Sequence, residues 1–288
     1  MSRQYHVDGE LVDRDEATVH VEDRGFRYGD GAFETCRAYD STVFLWDRHV
    51  DRLKTTCKTL GMPDAVPSNL RERIDTTLAA NNLSEAYIRV SVTRGVQPGK
   101  LTPDSDVDPT VVVYVKALPS GGTAGDPIWD DPATVRSVET RRIPDDALPA
   151  DAKTHNYLNG ILARLELRGS DADESLMCDT DGYVAEGATS NVFFIAEGTL
   201  KTPACGAVLP GITREAVLEA AERAGVPTET GRYTVDDIER ATEAFLTNTT
   251  WELRPISRLD GSTIGGGPVT ARLRRAYDEL VDRRCYVE

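Results

Sequence analysis

The sequence is short of positive charge. Its 48 Asp and Glu residues outnumber 33 Lys and Arg residues and leave a formal net charge of −15 at pH 7. Because nucleic acids bind through phosphates, which need a cationic surface, this balance argues against a nucleic-acid partner. Lysine is scarce, whereas aspartate is abundant, and such a surface predicts a halophilic protein from a high-salt cytoplasm. The lysines are Lys54, Lys58, Lys100, Lys116, Lys153 and Lys201.

Long apolar runs are also missing. No stretch reaches the roughly 20 apolar residues that a membrane span requires. Residues 1–10 lack the apolar centre of a secretory signal. These absences predict a cytoplasmic protein that does not enter a membrane.

Several motifs of well-known enzyme chemistries do not occur. There is no Gly-x-Ser-x-Gly elbow, no Walker loop and no histidine pattern with metal-ligand spacing, so we expect no metal site. The cysteines are scattered, odd in number and without a CxxC pair, which predicts reduced thiols. The five are Cys36, Cys57, Cys178, Cys205 and Cys285.

The 288 residues, of which 40% are hydrophobic, are enough for one large or two modest domains. A break in composition at residues 119–127, rich in Gly, Pro and Ser, predicts a linker. We therefore expect a small domain over residues 1–118 and a larger one over residues 128–288.

The most informative stretch runs from Glu186 to Arg214. A lone carboxylate, Glu186, precedes a small polar run and an apolar strand that begins near Val192. After Leu209-Pro210-Gly211-Ile212, a helix is predicted to open at Thr213 and to end at Gly225. Backbone N–H groups and the positive end of the helix dipole gather at such a start, so the stretch predicts an anion site.

This string resembles the signature of the class-IV aminotransferases, the fold-type IV enzymes that use pyridoxal 5'-phosphate (PLP). The signature positions are filled by Glu186, Ala188, Asn191, Val192-Phe193, Leu200-Lys201-Thr202 and Leu209-Pro210-Gly211-Ile212-Thr213-Arg214. The resemblance covers nearly the whole chain. It implies an α/β fold with a small N-terminal domain and a larger C-terminal pseudo-barrel domain that binds PLP, in a homodimer.

The resemblance also implies a set of cofactor residues. Lys153, just before a predicted helix, matches the catalytic Schiff-base lysine, and Glu186 matches the partner of the pyridine nitrogen. The run Arg48-His49-Val50-Asp51-Arg52-Leu53 resembles the family's phosphate-site pattern, and this resemblance implies that Arg52 is the phosphate arginine. The chemistry fits, because a guanidinium pairs with a phosphate through two hydrogen bonds. The implied cofactor-binding residues are Arg52, Lys153, Tyr157, Glu186, Leu209, Gly211, Ile212, Thr213 and Thr249.

Substrate residues follow from the same resemblance. Tyr87-Ile88-Arg89 is similar to the carboxylate side of branched-chain aminotransferases, and Thr93-Arg94-Gly95 is similar to D-amino-acid transaminases and aminodeoxychorismate lyases. Arg89 and Arg94 are five residues apart, so they point to opposite faces of a regular strand, and either could bind a carboxylate. The implied substrate-binding residues are Tyr28, Arg37, Tyr87, Arg89, Arg94 and Thr250.

Three functions remain open. The first is an aminotransferase that works by a ping-pong mechanism on an amino acid, possibly a branched-chain one, and a 2-oxo acid. The second is a 4-amino-4-deoxychorismate lyase, which Phe33-Glu34-Thr35 favours. The third is a D-amino-acid transaminase, although Val96 stands where that group has a histidine.

Overall fold

The computed structural model describes residues 3–206 and 208–286 and divides the chain into two compact units. The first comprises Met1–Ser120, Ala152–Asn156 and Arg283–Glu288, and the second comprises Gly121–Asp151 and Tyr157–Asp282. Both units mix helices and strands, as expected of an α/β protein. The predicted domain bounds of 1–118, 119–127 and 128–288 stay a prediction.

The first unit is built on a six-stranded antiparallel sheet. Its strands are β1 (Gln4–Val7), β2 (Glu10–Asp13), β3 (Gly31–Tyr39), β4 (Thr42–Val43), β5 (Ala86–Thr93) and β6 (Val111–Ala117). They lie in the order β2-β1-β6-β5-β3-β4. Its helices are α1 (Arg24–Tyr28), α2 (Trp46–Thr59) and α3 (Leu70–Ala80).

The two faces of this sheet differ because side chains alternate along a strand. On β5, Ile88 and Val90 are buried in a core that includes Leu53 of α2 and Ile74 of α3. On the other face of β5, Tyr87, Arg89 and Ser91 are only partly buried. The first unit therefore has one face packed against helices and one face that carries polar and aromatic side chains.

In its described residues, the second unit contains nine strands. They are β7 (Ala133–Ser137), β8 (Glu174–Cys178), β9 (Val184–Gly187), β10 (Asn191–Ala196), β11 (Thr199–Pro203), β12 (Thr228–Gly231), β13 (Glu243–Asn248), β14 (Glu252–Leu259) and β15 (Ser262–Thr263). Eight lie in the order β12-β11-β10-β13-β14-β7-β8-β9, and β15 pairs with β14. The sheet is mixed, and it curls so that β9 at one end contacts β10 and β11.

The helices described beside this sheet are α4 (Leu158–Leu165), α5 (Ile212–Arg223), α6 (Val235–Glu239) and α7 (Pro268–Cys285). Helix α5 packs on β12 and β13, with Ala216, Val217 and Ala220 buried. The sheet interior includes Val192, Phe194, Leu246 and Ile256.

Helix α4 presents an apolar surface to solvent. Its apolar residues recur at helical spacing, but they are exposed in the single chain. Their exposed fractions are 64% for Leu158, 53% for Ile161, 46% for Leu162 and 38% for Leu165. Such a row on a helix marks a surface that another element can cover.

All five cysteines are free thiols, as the sequence predicted, and only Cys205 is exposed. Among the described residues, no helix combines the length and apolarity needed to cross a membrane.

Candidate functional site

The segment that carries Lys153 adds an edge to the sheet of the first unit. The backbone carbonyl of Lys153 accepts a hydrogen bond from the Phe33 amide at 3.0 Å, and the backbone N–H of Lys153 donates to Thr56 Oγ1 at 3.1 Å. The next residue, Thr154, bridges to Ala32. The Nζ of Lys153 lies 4.5 Å from the centre of the Phe33 ring. Helix α4 begins only at Leu158, so Lys153 is positioned by β3 and α2 rather than by a helix start.

Arg52 is held on α2 by a buried carboxylate. Glu34 of β3 accepts hydrogen bonds from Arg52 Nε at 2.7 Å and from Nη2 at 2.8 Å. His49 Nδ1 lies 2.8 Å from the same carboxylate. Thr56 follows Arg52 by one helical turn, so its contact with Lys153 places that backbone beside the same helix.

The ionisation of Glu34 follows from these contacts. Burial by itself would raise the pKa of Glu34, but the charge and hydrogen bonds of Arg52, helped by His49, lower that pKa to about 2. Burial lowers the pKa of His49, although Glu34 opposes the change. At neutral pH the carboxylate is therefore ionised and the imidazole is neutral.

Arg89 lies on the sheet face that does not pack against helices. Its guanidinium is 3.8 Å from the centre of the Phe33 ring, which Lys153 also contacts. Tyr87 lies two residues earlier on the same face, and its ring is 6.0 Å from that of Tyr114. The first unit thus places Lys153 and Arg89 at the same aromatic ring, with Tyr87 two residues from Arg89 on the same face of β5.

Arg94 is engaged elsewhere. It follows the end of β5, is 5% exposed, and donates to Asp30 from Nε at 2.8 Å and from Nη2 at 3.1 Å. Its Nη2 also donates to the Leu60 carbonyl at 2.5 Å. Arg24 pairs with the same aspartate at 2.8 Å. The predicted strand face does not apply to Arg94, because β5 ends at Thr93.

Arg37 and Tyr28 have different surroundings. Arg37 is fully buried, donates to the Pro119 carbonyl at 2.9 Å and lies 4.5 Å from the centre of the Tyr39 ring. Tyr28 ends α1 and is only partly buried, with the guanidinium of Arg24 5.0 Å from its ring centre.

In the second unit, Glu186 joins three separate segments. Its Oε1 accepts from Arg142 Nε at 2.6 Å. Its Oε2 accepts from the Leu209 amide at 3.0 Å and from Asn191 Nδ2 at 3.3 Å. Asn191 also donates to the Leu209 carbonyl at 3.0 Å. The carboxylate therefore fixes the loop that leads into α5.

That loop ends at Gly211, the N-cap of α5, which has no side-chain cap. The helix starts at Ile212, one residue before the predicted start at Thr213. Its first N–H groups have no intrahelical partners, as at every helix start. A Cβ added at Gly211 would lie 2.0 Å from Asn191 Oδ1, so a larger residue there would displace the Asn191 side chain from its contacts with Glu186 and the Leu209 carbonyl.

Thr249 and Thr250 lie in the turn between β13 and β14. Asn248 shapes this turn, because its Oδ1 accepts from the Thr250 amide at 3.0 Å and from the Trp251 amide at 2.7 Å. Thr247, just before the turn, pairs with Asn191. The turn therefore lies at the ends of β10 and β13, where the contacts of Asn191 with Glu186 and Leu209 also bring the start of α5. Tyr157 is the N-cap residue of α4.

Sequence reasoning missed Glu34, His49, Asp30 and Arg142. Glu34 gave one signal, a lone carboxylate in the apolar strand from Ala32 to Tyr39. No local pattern distinguished Arg142, which lies 44 residues from its partner Glu186. Within residues 3–206 and 208–286, no group of acidic, His and Cys side chains could hold a metal ion.

The chain belongs to the amino-transferase class IV family, whose sequence model matches residues 31–259. It is 36% identical to a putative branched-chain-amino-acid aminotransferase of Methanocaldococcus jannaschii, over 96% of this chain and 95% of that protein. It is 31% identical to a D-alanine aminotransferase of Listeria monocytogenes, over 97% of this chain and 96% of that one.

Solved structures agree with this assignment. A branched-chain amino acid aminotransferase from the organism abbreviated T.th., solved with pyridoxamine 5'-phosphate, superposes with a TM-score of 0.90 at 31% identity, covering 99% of this chain and 95% of that one. The 4-amino-4-deoxychorismate lyase of Pseudomonas aeruginosa gives 0.81 at 29% identity, covering 96% and 98%. The fold is fold-type IV, and the family depends on PLP, so both predictions are confirmed.

The residues present fit this cofactor. The chain offers an amine at Lys153, a buried carboxylate at Glu186 and an arginine fork at Arg52. It also offers the amide groups of a helix start beside Gly211, where the backbone is approached closely. These are the donor types that an aldehyde, a pyridine nitrogen and a phosphate require.

We expect Gly211→Ala to destabilise the second unit, because the new Cβ would collide with Asn191 Oδ1 and displace the loop held by Glu186. The free energy of unfolding should fall by about 1–3 kcal/mol, as for other overpacked sites. Urea denaturation would measure the loss. Gly266→Ala is the control, because a Cβ there meets nothing within 4 Å. Equal stability of the two variants would contradict the expectation.

Proposed function

We propose that this protein is a PLP-dependent aminotransferase that transfers an amino group between a branched-chain L-amino acid and a 2-oxo acid in two half-reactions. The observation that supports this proposal most directly is the different surroundings of two arginines. Arg89 is partly exposed beside Lys153 on the polar sheet face, whereas Arg94 is buried against Asp30. Tyr87-Ile88-Arg89 is the branched-chain pattern, and relatives that carry that name support the same reading.

Each part of the cofactor has a candidate partner in the chain. We assign its phosphate to Arg52, the amides of Ile212 and Thr213, and Thr249. We assign its pyridine nitrogen to Glu186, and one face of its ring to Leu209. Gly211 would admit the phosphate to the backbone, and Tyr157 would donate to the phenolic oxygen.

When bound, PLP supplies an electron sink that stabilises negative charge at the Cα of the amino acid. The Nζ of Lys153 would act as the general base that removes the Cα proton. The Glu186 carboxylate would hold a proton on the ring nitrogen, while Arg142 keeps that carboxylate oriented.

The substrate carboxylate would bind to Arg89, with Tyr87, Tyr28 and Thr250 around the substrate. Arg94 and Arg37 are poorer candidates, because both are buried and donate to groups of the protein itself. Their contacts favour structural roles.

Two other activities remain as alternatives. A D-amino-acid transaminase is favoured by the Listeria relatives, but the position of its expected histidine is the exposed Val96. A lyase that releases pyruvate from 4-amino-4-deoxychorismate is favoured by Thr93-Arg94-Gly95 and by the Pseudomonas neighbour. The burial of Arg94 in an ion pair weighs against both, because both patterns depend on that arginine.

The direct test supplies the purified holoenzyme with L-leucine, D-alanine or L-glutamate and measures the change in its visible spectrum and the oxo acid formed. We expect L-leucine and L-glutamate to convert the cofactor to its amino form, because Lys153 can move the Cα proton. The Lys153→Ala variant should lose this conversion. Conversion by D-alanine alone would select the D-amino-acid alternative, and pyruvate released from 4-amino-4-deoxychorismate without any conversion would select the lyase.

The assignment of the carboxylate ligand predicts different effects of two matched substitutions. Arg89→Gln should raise the KM for L-glutamate about 10- to 100-fold, because a charge-assisted bond to a carboxylate is lost. Arg94→Gln should lower the free energy of unfolding and change KM little. Steady-state kinetics and urea denaturation of both variants make the comparison. A larger rise in KM for Arg94→Gln would refute the assignment.

We also propose that the protein is a homodimer and that helix α4 lies in its interface. The support is the exposed apolar row Leu158, Ile161, Leu162 and Leu165. Ile161→Asp should shift the sedimentation of the protein towards the monomer, because a carboxylate would have to be buried in an apolar interface. Arg275→Glu, on the exposed side of α7, should leave it unchanged. A dimer that survives Ile161→Asp would remove α4 from the interface.

The acidic surface supports a further proposal, a halophilic cytoplasmic setting. The formal charge of −15 repels itself at low ionic strength, and salt screens that repulsion. The same sedimentation series, run from about 0.1 M to about 2 M KCl, should show a more compact and more dimeric protein at high salt. Insensitivity to salt would argue for an ordinary acidic protein.

A further inference from the structure

The ion pair between Glu34 and Arg52 links a central strand to a helix in the first unit. The Glu34 side chain is 1% exposed, that of Arg52 is 11% exposed and that of His49 is 2% exposed. The pair is therefore buried away from bulk water. A carboxylate in such a site needs several donors to remain charged. Arg52 provides two of these donors and His49 the third.

Each of these hydrogen bonds has a defined direction. An ionised carboxylate can only accept, so the neutral imidazole of His49 carries its proton on Nδ1 and donates it to Glu34. Oε1 of Glu34 accepts from Nε of Arg52, and Oε2 accepts from both Nη2 and His49. The arrangement defines the plane of the guanidinium as well as its position.

The two hydrogen bonds to Glu34 run from one edge of the guanidinium, the edge formed by Nε and Nη2. A guanidinium has five N–H donors in a rigid fork. Once one edge is fixed, the directions of the other donors are fixed too. An anion that meets these donors finds them already oriented, which lowers the entropy lost on binding.

We propose that Glu34, assisted by His49, is a positioning residue that aims Arg52 at the phosphate of PLP. The inference rests on the proposed function, which places the phosphate at Arg52. Glu34 itself does not touch the cofactor. Its contribution is specific to the phosphate, because it acts through the fork of Arg52.

A comparable pair in the same unit separates this role from simple packing. Asp30 accepts from Nε and Nη2 of Arg94 at 2.8 and 3.1 Å, and the Arg94 side chain is 6% exposed. The chemistry and the edge of the arginine are the same, but Arg94 is assigned no phosphate. Substitution at Asp30 therefore reports the cost of breaking a buried pair without an effect on the phosphate.

The test uses the full-length chain freed of cofactor and measures dissociation constants for PLP and for pyridoxal, which lacks the phosphate. The ratio of the two constants isolates the contribution of the phosphate.

In Glu34→Gln the amide NH2 would face a donor of Arg52 or of His49, so the guanidinium of Arg52 would turn away from its position in the wild type. We expect the preference for PLP to fall about 10- to 100-fold, the value of a hydrogen bond to a charged group. Asp30→Asn should leave the preference within about twofold of the wild type.

Thermal unfolding of each variant provides the control for folding. If Glu34→Gln does not fold, Glu34→Asp replaces it, since aspartate keeps the charge but withdraws the carboxylate by one methylene. It should also reduce the preference for PLP. A folded Glu34 variant with the wild-type preference would overturn the proposal and leave the proposed function intact. A wild-type chain that binds neither PLP nor pyridoxal would overturn both.

Discussion

A buried carboxylate stays ionised only when several donors surround it, and this requirement organises both units of the protein. Glu34 gathers Arg52 and His49 and thereby ties β3 to α2. Glu186 gathers Arg142, Asn191 and the amide of Leu209 and thereby fixes the loop before α5. In each case the charge that needs partners also orients groups that can hold a cofactor.

The same reasoning separates arginines that look alike in the sequence. Arg94 and Arg37 satisfy groups of the protein, a carboxylate in one case and a carbonyl in the other. Arg89 instead lies across an aromatic ring on the polar sheet face. A guanidinium that is not committed to a buried partner can bind a substrate at lower cost, and this difference supports the proposed branched-chain activity.

The surface of the single chain also has a consequence. Four apolar side chains of α4 are exposed, although the helix is short and otherwise well formed. These four side chains recur at helical spacing, so they lie together on one side of the helix. A second copy of the chain that covered this row would remove it from water. The proposed dimer interface would then lie on the helix that begins five residues after Lys153.

The sequence by itself determined the family, the cofactor and the local elements. The spacing from Glu186 to Arg214 and the residues around Lys153 are local patterns. A local pattern can be recognised in the sequence without knowledge of the fold. The start of α5 was predicted to within one residue, and a helix was predicted after Lys153, where α4 lies. Only the tertiary structure decided which charges are paired. Glu34 meets Arg52 across 18 residues, and Arg94 meets Asp30 across 64. Ion pairs between residues so far apart in the chain produce no periodic pattern in the sequence, because the packing of strands and helices determines which residues meet. For the same reason the sequence could not say which arginine is available to a substrate.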